Sequence, residues 1–168
     1  MLARAGGALR RADVALLVAL RTRGHLPGVE RAVVRYSGSG DHSALWLAAC
    51  ALGVLAHPGR RGVYLRCGRA VVAGEILNAT VKAVVGRRRP ALAHLPGLAA
   101  TRSPLSHPSA HATTSFAAAT VLCDALGPAV PFALAGGMAL SRPYLGVHYP
   151  SDVVVGGAFG VLLARGLG

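Results

Sequence analysis

Five apolar stretches constrain this chain more than any other feature: roughly residues 43–57, 63–86, 109–126, 128–141 and 149–165. Pro58-Gly59, the long 87–108 stretch, Gly127-Pro128 and the Arg142–His148 region separate them. Proline and glycine are the strongest local breakers of regular structure. Each stretch exceeds the length of about four to eight residues usual for a strand, so helices are predicted. Composition decides the solvent. Hydrophobic residues make up 53% of the chain and charged residues 14%, with a mean hydropathy of +0.50, the balance of a membrane protein. The expected fold is all-α: a membrane-embedded helical bundle with about five transmembrane helices over residues 41–168, preceded by an N-terminal amphipathic, interfacial region over 1–40. Several stretches fall short of the ~20 residues a span needs, so this reading requires tilt, bilayer thinning or longer helices. The frequent Ala and Gly suit close helix packing in lipid.

The N-terminal region is less apolar. Ala12–Leu20 is a short run interrupted by Asp13, too short to cross a bilayer, and Arg21 and Arg23 follow where a signal peptide needs small residues. Beyond Pro27, the residues Leu26, Val29, Val33 and Tyr36 form one helical stripe with Glu30, Arg31 and Arg35 off it. Such a helix suits a membrane surface or packing against the bundle. Ser37-Gly38-Ser39-Gly40 then breaks the chain, and Asp41-His42-Ser43 is placed to cap the next helix.

The net charge of +12 does not indicate nucleic-acid binding, because the charge lies between apolar stretches and not on a polar, highly charged surface. It points to a membrane surface or an anionic substrate. Cys50, Cys67 and Cys123 show no paired spacing and read as small buried hydrophobes, implying neither disulfide nor zinc. Glu75, Asn78 and Asp124 lie inside apolar stretches and are expected to pair with one another or with Arg66 and Arg69. His25, His42, His57, His94 and His107 have no partner at a telling spacing and read as loop or end residues. Seventeen of the 18 cationic residues are Arg, so the single lysine, Lys82, stands out. The Arg, Ala, Gly and Val richness fits a GC-rich bacterial genome.

Three stations carry chemistry. Lys82 and Arg89 are two helical turns apart, and Pro90 forces Arg89 into an extended conformation, so the pair can grip one anion from two directions. Arg87 and Arg88 beside it read as interfacial anchors. Pro108-Ser109-Ala110-His111 opens the third helix with free backbone N–H groups and a hydroxyl, a ready anion site, with His111 one turn inside. In Ser141–Asp152, Arg142 supplies a forked cation, and Asp152 lies four residues after His148, on the same helical face. A histidine held by a carboxylate can act as nucleophile or base, although such a pair alone is more often a structural one. In an up-and-down bundle these helix ends all lie at the same face, so residues spread over 82–152 meet.

The motifs KAVVGRRRP at 82–90, PSAH at 108–111 and SRPYLGVHYPSD at 141–152 resemble those of the type 2 phosphatidic acid phosphatase superfamily, which includes bacterial acid phosphatases and vanadium haloperoxidases. The resemblance implies that His148 attacks phosphorus and becomes a phosphohistidine while Asp152 orients it. It further implies that Lys82, Arg89, Ser109, the Ala110 backbone and Arg142 hold the phosphate, and that His111 protonates the leaving oxygen. No metal or other cofactor is implied, and the chain lacks the paired carboxylates of a magnesium-dependent site. Ala110 departs from the family's usual glycine, which narrows the pocket. The expected partners are the bilayer and an amphiphilic phosphorylated lipid, in a multi-pass protein of a bacterial cell membrane. Within the superfamily, the five-segment layout with PSAHATTS, SRPYLGVHYPSD and GDHSALWL also resembles the actinobacterial phosphatases acting on decaprenyl-phosphoryl 5-phosphoribose. Undecaprenyl pyrophosphate, phosphatidic acid and phosphatidylglycerol phosphate are the alternative substrates. A haloperoxidase and a non-catalytic membrane protein are the alternatives of another class.

Overall fold

The computed structural model describes residues 2–167, with side chains from residue 7 onward. Seven α-helices occur among them: α1 (Leu2–Thr22), α2 (Pro27–Ser39), α3 (Ala44–Ala56), α4 (Arg61–Val85), α5 (Ala110–Leu126), α6 (Ala129–Tyr144) and α7 (Pro150–Gly166). The last five coincide with the apolar stretches to within a few residues, because proline and glycine set their ends. Gly86, at φ +64, takes the left-handed conformation that closes α4, its N–H bonding to the Lys82 carbonyl. Pro128 precedes α6 and Pro150 opens α7, where a missing N–H costs nothing.

The α5 helix is the axis of the bundle, packed on α4, α6 and α7. Its buried side chains are small, including Ala112, Thr113, Ala117, Ala118 and Ala119. Small residues let backbones approach, and α7 uses this most closely. A Cβ on Gly156 would stand 2.6 Å from the Ser109 carbonyl oxygen, and one on Gly160 would overlap the Thr113 carbonyl oxygen. Trp46, Tyr64 and Leu122 complete the core between α3, α4 and α5, and the Trp46 indole N–H donates to Ser115 at 2.8 Å.

Among the described residues no helix is both long and apolar enough to cross a membrane, which the expectation of five transmembrane helices requires. The reasons differ by helix. At 17, 16 and 17 residues, α5, α6 and α7 are short, whereas the 25-residue α4 carries Arg61, Arg66, Arg69, Glu75 and Lys82.

Three local expectations need correction. Ser43 does not cap α3: it sits at φ +56, whereas a capping residue needs extended backbone, and its hydroxyl donates to Glu75 Oε1 at 2.6 Å. Asp124 does pair with Arg66, but Glu75 bonds Ser43, and Asn78 donates to the Pro108 carbonyl and Thr113 hydroxyl, with no part for Arg69. The short N-terminal run is one part of a 21-residue helix that packs on the bundle. Leu17 is fully buried, Arg21 donates to the Pro96 carbonyl at 2.9 Å, and Tyr36 on α2 donates to the Leu134 carbonyl at 2.6 Å.

Candidate active site

The end of α4, the start of α5, the end of α6 and the start of α7 meet around a cavity of about 350 Å³. Lys82, Arg89, Ala110, His111, Arg142 and His148 all line it. Each is placed by a local feature. The left-handed Gly86 turns the chain out of α4, and Arg89 is then held extended by its N–H to the Pro104 carbonyl and its Nε–H to the Ser103 carbonyl, at 3.0 and 2.7 Å. Arg142 occupies the last turn of α6, and Gly146, at φ +74, makes the turn that brings His148 back towards it. Within that turn the Val147 N–H bonds to the Arg142 carbonyl, and Arg89 Nη1 donates to the Val147 carbonyl at 2.8 Å.

His148 is 1% exposed. Its Nε2 lies 2.9 Å from Arg89 Nη1, and because a guanidinium only donates, that nitrogen carries the lone pair and Nδ1 the proton. Nδ1 faces the Asp152 carboxylate, with Oδ2 at 3.6 Å, beyond hydrogen-bond length. Burial pushes the imidazole down to about 3, so the ring is neutral at ordinary pH. His111 Nε2 lies 3.2 Å from the Ser37 carbonyl and 3.3 Å from Asp41 Oδ1, two acceptors that favour a proton on that nitrogen.

Ser109 and Asp152 stand behind the cavity wall. Ser109 is fully buried, its hydroxyl caps α5 by accepting the Ala112 N–H at 3.5 Å, and its own N–H bonds to the Asp152 carbonyl at 3.0 Å. That N–H is therefore not free for an anion, contrary to expectation, because α7 packs directly on the start of α5. Asp152 is also fully buried and collects more partners than its spacing from His148 suggests. Oδ2 accepts the Tyr149 N–H at 2.9 Å, and Oδ1 accepts from Arg87 at 2.8 Å and lies 3.0 Å from His107 Nδ1.

Arg87 thus ties the site together and is no surface anchor, and His107 is no isolated loop residue. The N-terminal region contributes as well. Ser37 Oγ accepts Arg142 Nη1 at 2.5 Å from 105 positions away, and Asp13 bonds Arg87 and Ser151. Sequence spacing does not single these out. Arg87 is one of three consecutive arginines, and the distant partners have no pattern in common.

The helical bundle thus brings Lys82, Arg89, Arg102 and Arg142 to one cavity with His42, His111 and the buried, neutral His148, a lining suited to a phosphate or a similar anion. The chain belongs to the PAP2 superfamily, whose model matches residues 63–167, and is a phosphatase of that family. It is similar to a protein of Mycolicibacterium smegmatis named decaprenylphosphoryl-5-phosphoribose phosphatase: 42% identical, over 87% of this chain and 82% of that one. A Mycobacterium tuberculosis protein of the same name is 40% identical, over 89% and 85%. In fold it resembles a transmembrane PAP2 type phosphatidylglycerolphosphate phosphatase from Bacillus subtilis, with a TM-score of 0.79 at 21% identity, over 95% of this chain and 84% of that one. Aquifex aeolicus LpxE gives a TM-score of 0.74 at 21% identity, over 92% and 93%.

Proposed function

We propose that this phosphatase is an integral membrane protein that hydrolyses the phosphomonoester of a polyprenyl-linked phosphoribose through a phosphohistidine at His148. The observation that carries the chemistry is the His148 geometry: a neutral ring, lone pair at Nε2, in a cavity shared with Lys82, Arg89 and Arg142. Two further facts support the substrate and the setting. The relatives at 40–42% identity bear that substrate in their names, and apolar side chains such as Val72, Ile76, Val154 and Leu162 face outward from α4 and α7. A lipid tail can remain among such faces while its phosphate enters the polar cavity. The alternative lipid phosphates fit the same cations, so the substrate preference rests on the relatives.

In the first step Nε2 attacks phosphorus in line, the Nε2–P bond forms and the P–O bond to the leaving alkoxide breaks. A phosphate oxygen competes for the Arg89 N–H that otherwise covers the lone pair, which frees the nucleophile. Arg142 Nε is buried without a hydrogen-bond partner among the described residues, and an equatorial oxygen would satisfy it. Lys82, Arg89 and Arg142 stabilise the charge on these oxygens. Asp152 stabilises the imidazolium that forms as Nε2 is phosphorylated. His111, as the imidazolium that the Asp41 carboxylate and the bound phosphate stabilise, gives a proton to the alkoxide, then as the neutral ring takes one from the water that cleaves the Nε2–P bond and releases phosphate.

A phosphate-release panel in detergent tests the proposal, comparing polyprenyl-phosphoryl phosphoribose, polyprenyl pyrophosphate and phosphatidic acid. The phosphoribose lipid should be cleaved fastest, and a clear preference for another would displace the substrate assignment. His148→Ala should lower turnover by at least about 10³-fold and abolish phosphoenzyme trapping; substantial turnover in this variant would sink the mechanism.

A further inference from the structure

The family match begins at residue 63, yet Asp13, on α1 and well outside it, is buried against the site. Its Oδ1 accepts the Ser151 backbone N–H at 2.9 Å. Its Oδ2 accepts the Ser151 hydroxyl at 2.5 Å and Arg87 Nη2 at 2.6 Å. Arg87 Nη1 in turn donates to Asp152 Oδ1 at 2.8 Å and Ser151 Oγ at 2.7 Å, while its guanidinium lies over the Tyr149 ring, 4.0 Å from the centroid. Three pieces of chain far apart in sequence, α1, the loop after α4 and the first turn of α7, are closed into one hydrogen-bonded ring.

Two physical consequences follow from that ring. The first turn of a helix has backbone N–H groups with no partner inside the helix. The residue before α7 is Tyr149, which makes no side-chain capping bond, so Asp13 on another helix caps the Ser151 N–H. The second concerns Arg87. A guanidinium bridging two carboxylates is fixed at both ends, and with Asp13 holding Nη2, Nη1 is aimed at Asp152 Oδ1. The groups facing Asp152 are then shared out: Arg87 and His107 at Oδ1, the Tyr149 N–H and His148 at Oδ2. Oδ2 is thereby kept on the His148 side.

We propose that Asp13 is a positioning residue for the hydrolysis: through Arg87 and Ser151 it sets the orientation of Asp152, and through Asp152 the aim of the His148 nucleophile. The inference rests on the phosphohistidine reading above. It makes α1 a working part of the site, where a helix that merely covered the bundle would need no buried carboxylate. A buried charge is costly unless paired, and this one is paired with the two groups that hold Asp152 and the helix that bears it.

The test uses the full-length protein in detergent and whichever of the three lipids the wild type cleaves fastest. Asp13→Asn, which is isosteric but uncharged, should lower kcat by about 10- to 100-fold while KM stays within about twofold, since misaiming a reacting group by an ångström costs about that much. Asp13→Glu should recover part of the loss by restoring the charge. Arg87→Lys should behave like Asp13→Asn, and the double variant should lose no more than the worse single, because the two residues act along one chain of contacts. Where Asp13→Asn does not fold, Ser151→Ala, which deletes the hydroxyl between Asp13 and Arg87, carries the same expectation. The proposal is overturned by wild-type kcat in these variants, by a change confined to KM or to the melting temperature, or by losses that multiply. Turnover surviving in His148→Ala would instead overturn the reading beneath it.

Discussion

At the scale of the residue, the site is governed by the proton on His148. Burial disfavours the imidazolium most, Arg89 and Arg142 add to that, and the Asp152 carboxylate opposes them, leaving the ring pushed down to about 3. In protein with 15N-labelled histidine, the His148 resonances should show the neutral Nδ1–H tautomer at about pH 5, well below the ordinary imidazole value of about 6.5. An imidazolium signal there would contradict the geometry. The same depression costs stability in acid. Below about pH 6.5 the unfolded chain takes up a proton that the folded site refuses until about pH 3, so stability falls as pH drops across that window. Lys82, Arg89, His111, Arg142, His148 and Asp152 were legible because helix periodicity and proline position place them at helix ends. Arg87 and His107 were not, since their partner Asp152 is 65 and 45 positions away and no local pattern joins them.

At the scale of the element, the contact of α7 with α5 sets the distance between the two halves of the site. Gly160 meets the Thr113 carbonyl and Gly156 the Ser109 carbonyl, and the Ser109 N–H holds the Asp152 carbonyl at the same seam. Gly160→Val should force the helices apart, destabilise the protein by about 1–3 kcal/mol and reduce turnover more than tenfold by moving Asp152. Thermal unfolding and phosphate release measure both effects. Gly166→Ala, where an added Cβ meets nothing within 4 Å, should leave both unchanged. Five helices were legible to within a few residues because their apolar runs end at proline or glycine. The extent of α1 was not, since Arg10, Arg11, Asp13 and Arg21 interrupt its apolar pattern, and two of these, Asp13 and Arg21, bond to groups distant in sequence, Arg87 and Ser151 for the first and the Pro96 carbonyl for the second.

At the scale of the whole molecule, the question is what surrounds the bundle. Val72, half exposed near the middle of α4, separates water from lipid. In water an Arg at such a surface position changes stability by no more than about 0.5 kcal/mol, whereas near the centre of a bilayer it costs about 3 kcal/mol. If the proposed membrane setting holds, Val72→Arg should reduce the membrane-inserted yield and the melting temperature in liposomes, and unchanged values would count against it. The outward apolar faces suit the proposed lipid setting, in which the shortness of α5, α6 and α7 requires a locally thinned bilayer, since tilt would shorten their reach further.

By itself the amino-acid order determined the helical fold, the five bundle helices, the family and six of the groups that line the cavity, Lys82, Arg89, Ala110, His111, Arg142 and His148, because each follows from local periodicity, from breakers or from motifs a dozen residues long. Only the tertiary structure decided which groups hold those lining residues in place: Ser109 as a cap, Arg87 and His107 on Asp152, Ser37 on Arg142, and Asp13 at the start of α7. The physical reason is that these bonds exist where helices far apart in sequence come together. A buried charge or N–H must find a partner there, and which one it finds depends on how the helices pack.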